Sequence, residues 1–159
     1  MKTDEKTNVM RLLESRKINY SAHTYNPDPS LSGSDIARIL GEDPAFVFKT
    51  LVTRGRPGYH YVFVIPVSSE LDLKKAAKAA GEKSVSMILQ KELLSLTGYV
   101  HGGCSPLGMK KTFPTFVHST AEKSDRIFVS AGKVGFQVGL APSDLQSLVK
   151  FRFADLVSG

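Results

Sequence analysis

The chain has a single cysteine, Cys104, so no intramolecular disulfide can form and a thiolate-rich zinc site is excluded. It also lacks a long hydrophobic run. The longest, around residues 61–67, falls far short of the roughly 20 residues that span a bilayer. Asp4 and Glu5 stand where the apolar part of a secretory leader would begin. A soluble, cytoplasmic protein is expected. Its 159 residues suit one domain over 1–159, with a core that needs no staples. Acidic residues are missing from three long stretches, 44–69, 93–121 and 127–143, yet Lys49, Arg54, Arg56, Lys110, Lys111 and Lys133 lie within them. Burial of strands accounts for the absent acids but not for the basic survivors. If these stretches converge, they line a cleft of one sign that concentrates phosphate ligands, and the formal charge of +6 agrees.

What is present divides into helices and short strands in irregular alternation. Residues 7–17 carry Val9, Met10, Leu12 and Leu13 at helical spacing and end in basic residues. Residues 19–25 alternate and run into the turn Asn26-Pro27-Asp28-Pro29-Ser30. Ser34 and Asp35 are expected to cap a short helix, 36–40, stopped by Gly41. Residues 46–53 and 59–67 are aromatic and β-branched and are joined by Arg54-Gly55-Arg56-Pro57-Gly58, which predicts an antiparallel hairpin. Residues 72–80 form a helix by propensity, N-capped near Asp72 and ended by Gly81. A second helix at 89–96 ends at Thr97-Gly98, strands follow at 113–118, 126–130 and 135–140, and Ser143 caps a helix over 143–149. Several joins look like hairpins, and the crossover rhythm of a doubly wound sheet is missing. The expected fold is α+β: a mixed, largely antiparallel sheet, curled or closing into a partial barrel around a central cleft, with helices around it.

Lys49 is the most informative residue. Both faces of its strand are apolar, and alternation sets it between Val47 and Leu51 on a buried-looking face. An ammonium there needs an anion or a depressed pKa, unless it lies near enough to the strand end to snorkel to water. The glycine-rich stretch 98–111 has the GxxxxG spacing of a phosphate loop at Gly103 and Gly108, but Met109 stands where the essential lysine belongs and Pro106 supplies no N–H. Gly102 and Gly103 can still bring backbone N–H groups to a carbonyl or oxyanion, or form an ordinary turn. Ser130-Ala131-Gly132-Lys133-Val134-Gly135 presents a hydroxyl and a charge, or makes a tight hairpin turn. His23, His60, His101 and His118 show no metal-ligand spacing, so neither a metal nor a cofactor is expected. Cys104 near His101 has no third member to orient a thiol nucleophile.

Five blocks in order resemble the bacterial YbaK/EbsC family of Cys-tRNA(Pro) deacylases, across about residues 9–157. They are His23-Thr24-Tyr25, then Val47-Phe48-Lys49-Thr50-Leu51, then Leu71-Asp72-Leu73-Lys74-Lys75 with Ala77-Lys78-Ala79. Thr97-Gly98-Tyr99 with Gly102-Gly103-Cys104-Ser105-Pro106-Leu107-Gly108 and Lys110-Lys111 comes next, and Val129-Ser130-Ala131-Gly132-Lys133 is last. The GG-x-SPLG block points to this branch rather than to the related alanine-editing domains. The resemblance implies an editing-domain fold and hydrolysis, in trans, of cysteine wrongly esterified to tRNA(Pro). The substrate's own thiol would attack its ester and release a thiolactone, a lyase-like step. Alternatives are the same scaffold acting on another small residue, as in Ala-tRNA(Pro), and a non-catalytic tRNA-end binding module. Carried over by position, Lys49, Gly102 and Gly103 would be catalytic. Tyr25, Thr50, Ser105, Pro106, Ser130, Gly132 and Gln137 would contact the substrate. Arg54, Arg56, Lys110, Lys111 and Lys133 would meet tRNA phosphates. Prolyl-tRNA synthetase is the implied transient partner, with no membrane or DNA. The chain departs from the family pattern at about Ser32, where an aromatic residue is usual, and at Gln137, where an aspartate is usual. Gln137 can donate and accept hydrogen bonds but cannot be an anion.

Overall fold

Tyr61, Val62, Phe63, Val64 and Ile65 are all buried, because their strand lies between two apolar layers. Alternation sends Tyr61, Phe63 and Ile65 to one side, against Ala76 and Ala77, and Val62 and Val64 to the other, against Val9, Val117 and Val129. The computed structural model describes residues 5–158. Asp4, half of the pair read as blocking a leader, lies outside them.

Along the chain come α1 (Asn8–Ser15), β1 (Ser21–Thr24), α2 (Gly33–Ile39), β2 (Phe48–Arg54), β3 (His60–Pro66), α3 (Leu73–Ala80) and β4 (Ser86–Met87). They are followed by α4 (Leu93–Thr97), β5 (Thr115–His118), β6 (Ile127–Ser130), β7 (Phe136–Leu140), α5 (Pro142–Leu148) and β8 (Phe151–Ala154). The strands form two sheets, one of order β4-β2-β3-β5-β8 and one of order β1-β7-β6. The pairings β2–β3, β2–β4, β1–β7 and β6–β7 are antiparallel, and β3–β5 and β5–β8 are parallel. The fold is therefore mixed α/β, as expected, but the sheets do not close into a barrel. Among the described residues they meet at a parallel bridge, Val47 with Phe128, where the Phe128 N–H donates to the Phe46 carbonyl over 2.9 Å. Beyond that bridge β2 and β6 are no longer paired. Lys49 and Thr50 on one strand, and Ser130 on the other, line the gap that opens between them.

Three local expectations change. The cap of α2 is Ser32, not Ser34 or Asp35: its hydroxyl accepts from the Asp35 N–H while the Asp35 carboxylate accepts from the Ser32 N–H, a reciprocal capping box. Helix α5 starts at Pro142, whose fixed φ suits a first helical position, so Ser143 lies inside the helix rather than capping it. Strand β8 pairs in parallel with β5 beyond the last expected element. Asp72 caps α3 with hydrogen bonds from the Lys74 and Lys75 N–H groups, and Gly81 ends it in the left-handed conformation, as the sequence predicts. Among the described residues no helix is long and apolar enough to cross a membrane.

Candidate active site

The gap between the sheets is a pocket of about 230 Å³. Strand β2 supplies one wall through Lys49 and Thr50, the second sheet supplies Ser130 and Gln137, and the loop after α4 contributes His101, Gly102 and Cys104. Leu31, just before the Ser32 cap, and Ile36, in α2, close a further side with Tyr25. Lys49 lies between Val47 and Leu51 on this wall and is partly buried. Among the described residues no carboxylate pairs with it. The pocket thus has an ammonium on an apolar wall with room for an incoming anion or developing oxyanion.

Two buried oxygens at this site, Thr50 Oγ1 and Gln137 Oε1, lack a hydrogen-bond partner among the described residues. Leaving such atoms unpaired in the interior costs about 1–3 kcal/mol each, so a fold retains them where something else completes them. Gln137 is only 7% exposed, held in β7 by pairing with His23 on one side and Ser130 on the other. Ser130 directs its oxygen to its own loop, where it accepts the Gly132 N–H over 3.1 Å.

Gly102 and Gly103, expected to act together, have different roles. Gly102 lines the pocket in a left-handed conformation, φ 87°, and its N–H makes no hydrogen bond with the described residues. The Gly103 N–H is already used, donating to the Val100 carbonyl at 2.9 Å, and a Cβ there would come within 3.1 Å of the Val134 N. Gly103 allows the two glycine loops to approach; it does not offer a free donor. Ser105 is fully buried and accepts the Leu107 N–H, and Pro106 lines a different cavity, so neither lines this pocket. Gly132 faces away too, because a Cβ there would press on Tyr99 and Val9. The conformation of this loop comes from Tyr99, whose hydroxyl donates to the Leu107 carbonyl, and from Thr97, whose carbonyl accepts the Lys110 N–H.

Of the basic residues in the acid-free stretches, Lys49 lines this pocket and Arg54, Arg56, Lys110, Lys111 and Lys133 do not. Arg54 lies at the far end of β2 from Lys49, roughly 17 Å away at ~3.3 Å per residue. Arg56 stacks on the Tyr59 ring and pairs with Glu82, an acid from outside its own stretch. Lys110 and Lys111 line two other cavities. Lys133 pairs with Glu5, and its neighbour Val134 packs beside the glycine loop.

Cys104 does line the pocket, which its isolation in sequence gives no reason to expect. Burial pushes its thiol up to about 12, despite the opposing effect of the Thr97 hydroxyl, so it stays protonated and weakly nucleophilic at neutral pH. Leu31, Ile36 and His101 are also part of the wall. Only His101, next to Gly102, carried a signal in the sequence. The apolar pair is visible only once Ser32 is known to start a helix.

An ammonium, two open polar oxygens and a backbone donor around a small pocket between two sheets are the features of a site that handles an ester or other acyl group. The chain belongs to the aminoacyl-tRNA editing domain family, whose model matches residues 29–148. Its relatives place it in the YbaK/EbsC branch. It is 46% identical over 158 residues to a protein of Enterococcus faecalis provisionally named Cys-tRNA(Pro)/Cys-tRNA(Cys) deacylase EbsC, covering 99% of this chain and 96% of that one. A proline–tRNA ligase of Thermosipho melanesiensis matches 75 residues at 32% identity, 47% of this chain and 13% of the ligase. The crystal structure of a provisionally named trans-editing enzyme for prolyl-tRNA synthetase superposes with a TM-score of 0.81, covering 98% of this chain and all of that one at 23% identity. That last likeness concerns the fold.

Proposed function

We propose that the chain hydrolyses Cys-tRNA(Pro) in trans, in the cytoplasm, as a single editing domain that meets prolyl-tRNA synthetase transiently. The observation that carries this reading is the pocket itself: Lys49, with no carboxylate partner among the described residues, and the open oxygens of Thr50 and Gln137 surround a space that fits an aminoacyl group, and the Cys104 thiol beside them is held protonated by burial. The name of the Enterococcus faecalis relative supports cysteine as the amino acid and includes tRNA(Pro) as one of two carriers.

The reacting nucleophile is then the substrate's own thiol. Its sulfur gives up its proton and attacks the ester carbon. The carbonyl oxygen takes the negative charge, opposite the Lys49 ammonium and the Gly102 N–H. The carbon–oxygen bond to the terminal ribose breaks, the proton passes to the leaving oxygen, and cysteine departs as a thiolactone that water opens. Gln137 accepts a hydrogen bond from the substrate amino group, and Thr50 holds the ester side. The protein contributes position and charge, which suffice for an intramolecular attack.

Single-turnover loss of the ester from Cys-, Ser-, Ala- and Pro-tRNA(Pro) tests the reading. Cys-tRNA(Pro) is expected to react much faster than Pro-tRNA(Pro), with the serine ester poor because its hydroxyl is the weaker nucleophile. Equal rates for serine and cysteine would overturn thiol attack. A faster alanine ester would move the assignment to alanine editing, and no loss of any ester would leave a binding module.

A further inference from the structure

The pocket opens into a second cavity of about 330 Å³, and the two share Tyr25, Leu31, Ile36, His101 and Gly102 as walls. The inner pocket, at about 230 Å³, is below the roughly 300–1,000 Å³ of ordinary small-ligand sites. It holds an aminoacyl group but not also the nucleoside to which that group is esterified. The outer cavity falls within the range. Pro27, Asp28, Pro29 and Val134 complete its lining, so it presents apolar surface, one carboxylate, and neither lysine nor arginine. A phosphate there would meet Asp28 without a cation, whereas a base finds flat apolar contacts and the His101 ring.

Asp28 narrows the choice of base. Its Oδ1 accepts both the N–H and the hydroxyl of Ser30, each at 2.9 Å, which fixes the side chain in a turn between Pro27 and Pro29. Its Oδ2 makes no hydrogen bond with the described residues. A fixed carboxylate oxygen can only accept, so it favours an exocyclic amino group and repels a carbonyl oxygen at the same place.

Resting on the reading of an aminoacyl-tRNA as substrate, we propose that the outer cavity binds the terminal nucleobase and that Asp28 reads its exocyclic amino group, accepting adenine and refusing the 6-oxo base hypoxanthine. The ribose and the ester then cross the shared wall at His101 and Gly102, which leads the acyl group to Lys49.

The test titrates adenosine and inosine into the full chain, labelled with nitrogen-15, and follows the amide signals of Ile36, Gly102 and Val134. Adenosine is expected to move them saturably and inosine to bind about fivefold more weakly. Asp28→Asn keeps an oxygen for Ser30 and turns an NH2 group toward the base, so its preference should reverse. Equal binding by the parent, an unchanged preference in Asp28→Asn, or shifts confined to other residues would overturn the proposal. The two readings separate cleanly. Discrimination between the nucleosides without hydrolysis of any Cys-tRNA would sink the deacylase reading alone. Equal cleavage of Cys-tRNA(Pro) ending in adenosine and in inosine would sink this proposal alone.

Discussion

The two ends of β2 both bury polar groups, and they treat them in opposite ways. Near the Arg54 end, the Glu82 carboxylate is 5% exposed and fully engaged: it accepts the Tyr61 hydroxyl and the Arg56 N–H and pairs with the Arg56 guanidinium. The hydrogen bond to Glu82, more than burial, holds the Tyr61 phenol above its ordinary 10. Near the other end, among the described residues, Lys49 has no carboxylate partner and Thr50 Oγ1 and Gln137 Oε1 have no hydrogen-bond partner. A polar cluster that serves the fold completes itself, because every open group in the interior is a cost. One that serves a ligand stays open and lets the ligand complete it. The contrast separates structure from site without appeal to any relative.

The largest effect is expected at Lys49. Lys49→Ala should slow single-turnover deacylation of saturating Cys-tRNA(Pro) by about two to three orders of magnitude, since one preorganised donor to an oxyanion contributes ~2.7–4 kcal/mol. The fold should persist, because the lost ammonium has no carboxylate partner among the described residues and removing it relieves a desolvation cost. A parental rate at saturation would make Lys49 an anchor only. The converse holds for the closed cluster. Glu82→Ala strands Tyr61 and Arg56 and should lower unfolding stability by about 1–3 kcal/mol in a denaturant titration. Its deacylation rate should match the parent at a temperature where both are folded.

A smaller effect depends on pH. Burial, the largest cause, lowers the pKa of both His23 and His118 from 6.5, and the His118 Nδ1 accepts the Leu156 N–H at 3.1 Å, which requires that nitrogen to be unprotonated. A histidine depressed in the fold binds its proton more readily when unfolded. Its stabilisation is therefore complete above pH 6.5 and is lost as pH falls through the folded value. Thermal melts should shift down on acidification below pH 6.5, and His118→Asn should flatten part of that slope. The smallest effect belongs to Cys104. Cys104→Ala should retain most of the deacylation rate, and a loss beyond about tenfold in a folded variant, roughly 1.4 kcal/mol, would revive an enzyme thiol.

Local signals were legible in the sequence. The β2–β3 hairpin follows from alternating apolar residues around a glycine turn, α3 follows from its alanines between Asp72 and Gly81, and Lys49 stands out because its neighbours are apolar. The family also follows, from five short blocks kept in order. What stayed hidden depends on partners remote in the chain. Arg56 looks like a free cation until Glu82, 26 residues on, closes over it. Gly103 looks like a twin of Gly102 until its N–H is found on Val100. Ser105 and Pro106 sit in a conspicuous motif, yet they shape the loop rather than the pocket. Ser32, a departure from the family pattern, caps α2 and so positions Ile36 on the pocket wall.

The most direct test of an open site is to remove one of its unpartnered atoms and measure stability and rate on the same sample. Thr50→Val deletes the buried hydroxyl while keeping the branched shape of the side chain in β2. Its unfolding stability should equal the parent's or exceed it by up to about 1–3 kcal/mol, while its deacylation of Cys-tRNA(Pro) slows. A variant that loses stability while deacylating at the parental rate would place the Thr50 hydroxyl in the fold and contradict an open site.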